Sequence, residues 1–100
     1  MSKSYQGSRT IDGIKVSVDG SPLDERYDIR KFTPMGFEWT FEGREPQQLA
    51  LALLADHLRD DQKALNLSES FMRQVVANLD NDWRMTSEDL DRALAEIKPD

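Results

Sequence analysis

The chain has 100 residues, enough for one domain (1–100) around one core. Apolar residues make up 38% and charged residues 32%, with 19 acids against 13 bases, a formal charge of −6 and a pI near 4.7. That balance repels phosphate backbones, so no nucleic-acid partner is expected, and the absence of cysteine excludes disulfides, thiol nucleophiles and thiolate metal sites together.

Residues 4–11 predict a first strand, and Asp12-Gly13, flanked by Ile11 and Ile14, predicts a two-residue hairpin turn. Ile14, Val16 and Val18 then alternate with Lys15 and Ser17, which puts the aliphatic side chains on one face of a second strand. Asp19-Gly20 marks the next turn, and Pro22 limits pairing beyond it. Over 26–32 the alternation is poorest, with Tyr27 and Ile29 on one face and Phe32 on the other. Thr33-Pro34-Met35-Gly36 has the residue order of a type I turn. Phe37, Trp39 and Phe41 alternate with Glu38, Thr40 and Glu42, the clearest strand pattern in the chain, and Gly43 ends it.

Pro46 suits the first turn of a helix that runs to about Arg59. From Leu49 to Ala55 every residue is Leu or Ala, and a helix apolar on all sides is buried on all sides. Asp60-Asp61 marks a break and the next helix start. Phe71, Met72, Val75, Val76 and Leu79 share one face of a second helix; Leu65 and Leu67 precede it, with room for a kink or fresh cap at Asn66 and Ser68. After the polar turn Asp80-Asn81-Asp82 come Trp83 and Met85, then Thr86 and Asp89 at capping-box spacing. Leu90, Ala93, Leu94 and Ile97 predict a third helix stopped by Pro99.

The order predicts an α+β domain: an N-terminal antiparallel sheet of three to four strands, followed by three helices packed on one face. Ile14, Val16, Val18, Phe37, Trp39 and Phe41 are expected to face the helix at 46–59. The first residues carry no signal-peptide pattern, and the longest apolar run is far shorter than the roughly 20 residues a bilayer span needs. An acidic chain without cysteine reads most simply as cytoplasmic, and the acidity also suits a high-salt cytoplasm.

No constellation predicts catalysis. His57 is the single histidine, beside Asp56, Asp60 and Asp61, and the ordinary reading is a charged helix end. His57 and Asp61 are four apart, the spacing of a weak metal pair, but no metal and no cofactor is expected. Ser68 and Ser70 lack a nucleophile-elbow context and read as helix-start or solvent residues. Glu38 and Glu42 fall on one exposed strand face, and Arg9 is expected to pair with a carboxylate across the sheet. Gly43-Arg44-Glu45-Pro46 joins strand to helix, an ordinary tight turn whose backbone N–H groups could also hold an anion. Gln48, polar in an apolar helix, must find partners in the sheet backbone or that turn. Trp83 reads as folding back to seal the core between the second and third helices, although tryptophan in a polar turn also suits an interface. Tyr27, Phe32 and Arg44 are the other candidate interaction residues.

Tyr5-x-Gly7-x-Arg9, Val18-x-Gly20-x-x-Leu23, Trp39-x-Phe41-x-Gly43-x-x-Pro46-x-Gln48-Leu49-Ala50-Leu51-Ala52-Leu53-Leu54-Ala55-Asp56, and the run from Phe71 to Leu79 with Trp83 together resemble a small family of uncharacterised domains from bacteria, archaea and phages. The likeness covers most of the chain, and its sharpest piece is Gly-x-x-Pro-x-Gln-Leu-Ala-Leu-Ala-Leu-Leu. It implies a shared fold and no activity. Relatives have a more glycine-rich bend before the proline than Glu42-Gly43-Arg44-Glu45, which argues against a backbone-ligand role there.

The expected function is a non-catalytic protein-interaction or accessory module, not an enzyme, with a protein partner and no membrane. Two alternatives are a ligand-binding or enzymatic accessory protein using the bend near Arg44 with His57, and a mobile-element inhibitor whose acidic surface mimics nucleic acid.

Overall fold

The computed structural model describes residues 2–97. Its order is β1 (Ser4–Thr10), β2 (Gly13–Val18), β3 (Ser21–Pro22), α1 (Arg44–Leu58), α2 (Asp61–Gln74), a 3-10 turn (Val76–Asn78), β4 (Trp83–Thr86) and α3 (Ser87–Glu96). The strands form one antiparallel sheet in the order β3-β2-β1-β4. This is the α+β domain expected, with its fourth strand taken from near the C-terminus and inserted beside β1. The stop at Pro99 lies outside the described residues.

Both hairpin turns form. At the first, Thr10 pairs with Gly13, so the tip is Ile11-Asp12 rather than Asp12-Gly13, and Ile11 projects into water. Gly13 opens β2 at φ 119, a left-handed value that a Cβ would strain. At the second, Asp19 and Gly20 both have positive φ, as the tight hairpin turn between Val18 and Ser21 requires. The core face carries Tyr5, Gly7 and Arg9 of β1, Ile14, Val16 and Val18 of β2, and Trp83 and Met85 of β4, as the strand registers demand. Trp83 and Met85 are buried with exposed Arg84 between them, an inward-facing extended segment.

Residues 26–32 and 37–42 are not strands. Arg26 takes a left-handed φ of 58, its N–H donates to the Asp24 carboxylate (2.7 Å), and its carbonyl accepts from Ile29 N–H, so the segment curls into a turn. Around Trp39 the aromatic alternation is real, but only Trp39 is fully buried, while Phe41 is 45% exposed. Thr40 has φ 81 and donates its N–H to Val76 carbonyl on the 3-10 turn (3.2 Å), which prevents a ladder. Residues 23–43 therefore form one long irregular span between β3 and α1.

Gln48 holds that span. Its side chain is fully buried. Its Oε1 accepts from Phe32 N–H (2.8 Å), and its Nε2 donates to the carbonyls of Glu25 (2.7 Å) and Arg30 (3.0 Å). The partners lie in the irregular span, not in the sheet or the strand–helix bend. Thr33 Oγ1 donates to Glu45 (2.6 Å), and Tyr27 Oη accepts from Gly36 N–H (3.1 Å). Trp39 Nε1 donates to Asn81 carbonyl (3.1 Å), its carbonyl accepts from Arg9 (3.0 Å), and the Arg9 guanidinium lies 4.7 Å from its ring centroid.

α1 and α3 follow their sequence signals, but α2 ends at Gln74, so Val75, Val76 and Leu79, expected on its face, fall at its C-cap, in the 3-10 turn and in the extended residue after it. Every residue of α1 from Gln48 to Ala55 is buried. Arg59 ends α1 in a left-handed conformation (φ 55), and Asp60 caps α2 by accepting from Lys63 N–H. α2 then runs unbroken through Asn66 and Ser68, with no second cap there. Ser68 is buried against α1, donating to Leu65 carbonyl (2.8 Å) and accepting from Gln47 Nε2 (3.3 Å), so it is neither a helix-start nor a solvent residue. The Thr86–Asp89 capping box starts α3 with both reciprocal hydrogen bonds.

Trp39 and Trp83 meet edge to face, centroids 5.8 Å apart at 87°. Trp83 thus packs on Trp39 and β1 and belongs to the core. A Cβ on Gly7 would lie 2.3 Å from Trp83 Nε1, so only glycine lets the indole lie on β1 at this position.

Two stability outcomes follow. Gln48→Leu keeps the volume but strands one N–H and two carbonyls, and denaturant unfolding should show a loss of about 3 kcal/mol or more. Gly7→Ala should cost about 1–3 kcal/mol by overpacking and weaken the near-ultraviolet dichroism of the tryptophan pair.

Candidate functional site

Two surface features hold what chemistry the molecule displays. One is a polar hollow of about 460 Å³ at the C-terminal end of α1, lined by Lys3, Tyr5, Asp56, His57, Glu88 and Asp91 among others. Its geometry comes from three elements. β1 brings Tyr5 inward, the last turn of α1 brings Asp56 and His57, and α3 brings Asp91. Tyr5 Oη donates to Asp56 (2.6 Å), which also takes Lys3 Nζ (3.1 Å). His57 Nε2 lies 2.6 Å from Asp91 Oδ1, and the His57 side chain is only 11% exposed.

Each of these pairs joins segments distant in the chain, which is what structural ties do. Burial pushes the Tyr5 phenol well above its usual range, and the hydrogen bond to Asp56 adds to the effect. A phenol held protonated in this way serves as a hydrogen-bond donor, not as a base near neutral pH. His57 does not face Asp61, because α1 ends at Leu58 and α2 starts a new direction; Asp61 instead pairs with Arg26 (3.3 Å). Among the described residues no three acidic or histidine side chains gather as a metal set.

Arg44, the first residue of α1, is exposed and far from this hollow. A helix rises about 1.5 Å per residue, so Arg44 and His57 stand on the order of 20 Å apart. Glu38 and Glu42 are also separated: Glu38 pairs with Arg9 (2.7 Å) and Glu42 approaches Arg73 (3.6 Å). Arg9 finds its carboxylate in the irregular span, not across the sheet.

The second feature is an apolar cleft beside β2. Two adjoining hollows, of about 590 and 450 Å³, share Ile14, Val16, Glu25 and Phe37; Leu23 lines the larger and Met35 the smaller. Met35 is 77% exposed and Ile14 37% exposed. The cleft exists because β3 is only two residues long, so the chain leaves the sheet early and returns as the loop at 33–37. Sequence reasoning missed it by treating 33–36 as a plain turn and Ile14 as core. The exposed Met35 beside Gly36 was the available signal.

The other aromatic candidates hold the irregular span. Tyr27 and Phe32 are half-buried and take cations, Lys31 at 5.4 Å from the Tyr27 centroid and Arg30 at 5.9 Å from the Phe32 centroid. Trp83 is 8% exposed. Its Nε1 is buried without a hydrogen-bond partner among the described residues, facing the Gly7 backbone.

The Tyr5 tie gives a pH outcome. Its folded-state pKa is raised, so the unfolded chain releases this proton first as pH climbs. The stability contributed is complete below the unfolded value of about 10 and declines as pH rises above it. Tyr5→Phe should therefore lower stability at pH 7 by about 1 kcal/mol and flatten the alkaline decline above about pH 10, read by urea midpoints across pH.

No helix among the described residues is long and apolar enough to cross a membrane. Comparison with curated proteins and with solved structures yields no match. One family model matches across residues 5–96, from the inward-facing Tyr5 through the last turn of α3. The chain is therefore a member of DUF6166, a family of unknown function.

Proposed function

We propose that this chain is a non-catalytic protein-interaction module of the cytoplasm, and that its working surface is the apolar cleft between β2 and residues 33–37. The observation that carries the reading is the exposure of Met35 and Ile14 around a shared hollow, with Phe37 and Val16 beneath them. Single exposed apolar side chains are ordinary, but a group around one concavity is the composition of a contact surface. The loop that carries Met35 is held from beneath by Thr33, Tyr27 and Gln48. Recognition residues belong on such loops, displayed by a rigid scaffold.

The pairing of titratable groups supports the non-catalytic half of the reading. Lys3, Tyr5 and Asp56 satisfy one another, as do His57 and Asp91. An accessory site joining Arg44 to His57 finds no support in their separation along α1, and the acids of an inhibitor surface are dispersed among ion pairs with Arg9, Arg26, Arg73 and Arg92.

Capture from native lysate on the immobilised chain tests the surface. Wild type and Arg92→Glu, a control at the opposite edge of the molecule, should retain the same discrete protein, and Met35→Asp should lose it. Retention by the wild type and both variants alike, or capture by none, would contradict the reading.

A further inference from the structure

We propose that the cleft takes an extended segment of a partner protein, which adds as a fifth strand to the open edge of β2 and carries alternating apolar residues flanked by Lys or Arg. This deepens the interaction reading above and rests on it.

The backbone supplies the first argument. β3 pairs only with Ser17 and Val18, and Leu23 N–H then donates to Val16 carbonyl (3.0 Å) before the chain departs. Along Gly13–Lys15 no strand among the described residues lies on that side of β2. In an antiparallel hairpin closed by a two-residue tip, Thr10 and Gly13 exchange hydrogen bonds, and so do Ser8 and Lys15. Ile14 and Val16 consequently aim their own backbone groups away from β1; Leu23 takes the Val16 carbonyl, which leaves the Ile14 N–H and carbonyl and the Val16 N–H open among the described residues. These two donors and one acceptor are a short template for strand addition.

Side chains supply the second. A segment laid along Gly13–Lys15, up to the Val16 N–H, covers about 10 Å at 3.3 Å per residue, and its alternate side chains point to opposite faces of the sheet. One set enters the hollow among Ile14, Val16, Leu23, Met35 and Phe37. The other set meets Ser8, Lys15 and Ser17 on the polar face. The segment must therefore read apolar–polar–apolar.

Charge selects the occupant. Glu25 lines both hollows and Lys15 the larger one, Asp12 and Asp24 adjoin lining residues in the chain, and Glu25 makes no ion pair among the described residues. A second copy docking about a two-fold axis would set this acidic border against itself. A segment flanked by Lys or Arg meets complementary charge instead.

The test is a titration of the full-length, isotope-labelled chain with a capped hexapeptide, Arg-Val-Thr-Ile-Thr-Arg. Amide exchange of Ile14 and Val16 should slow while that of Lys15, already bonded to β1, stays unchanged. Replacing Val and Ile of the peptide by Ser, or both Arg by Glu, should weaken binding about tenfold, and added salt should weaken the Arg peptide further. Glu25→Lys, which breaks no ion pair, should invert the preference between the Arg and Glu peptides. Ile14→Pro should abolish slowed exchange at Val16 by removing an outward donor. Shifts at Met35 and Phe37 without slowed exchange at Ile14 would overturn the strand and leave the interaction reading standing. Concentration-dependent dimerisation of the free chain with Ile14 protected would assign the edge to a second copy and overturn the basic partner. Unperturbed Ile14 at millimolar peptide would overturn the inference outright.

Discussion

Gln48 stands fully buried near the start of an otherwise apolar helix, and its amide accepts from Phe32 while donating to the carbonyls of Glu25 and Arg30. Residues 23–43 have no ladder of their own, and irregular spans longer than about 12–15 residues are uncommon inside a compact domain. A backbone of that kind can stay in place only if its buried polar groups find side-chain partners. One amide satisfying three backbone groups does this at the point where the span crosses α1. Thr33, Tyr27 and Arg9 complete the attachment further along. The apolar cleft is a consequence, since its outer wall is the loop that these bonds hold against β2.

The elements with strong local signals were legible in the sequence. The Leu/Ala run implied a helix buried all round, and α1 is that helix. The period of two from Ile14 to Val18 identified the inward face of β2, and Thr86 with Asp89 identified the start of α3. Trp83 and Met85 stand two apart, the spacing of an inward-facing extended pair, yet nothing local tells that they pair with β1 from the far end of the chain. Sheet partners are a tertiary property, and β4 joins β1 across most of the sequence. The misreading at 37–42 has the same origin. Alternation around Trp39 was genuine, but a strand needs a neighbour, and Thr40 at positive φ turns its N–H to the 3-10 segment instead. Gln48 was recognised as needing partners; which backbone supplied them depended on the path of a loop that no periodicity describes.

The same logic separates the two surface features. In the polar hollow Lys3, Tyr5 and Asp56 answer one another, as do His57 and Asp91, and these pairs join the N-terminal segment, α1 and α3. At the cleft the unsatisfied features are of the opposite kind: apolar surface in water and a strand edge left open by the brevity of β3. The composition legibly excluded thiol chemistry. The sequence did not display the cleft, because Ile14, Met35 and Phe37 are far apart in the chain and two of them sit in a segment that reads as a turn and a strand.

Native-state hydrogen exchange at the Phe32 amide tests the central claim most directly. If Gln48 anchors the irregular span to α1, that proton exchanges only when the whole molecule unfolds, with an opening free energy equal to the global stability. Exchange of the Phe32 amide at the rate of an unprotected loop amide, in a chain whose α1 amides remain protected, would contradict the account.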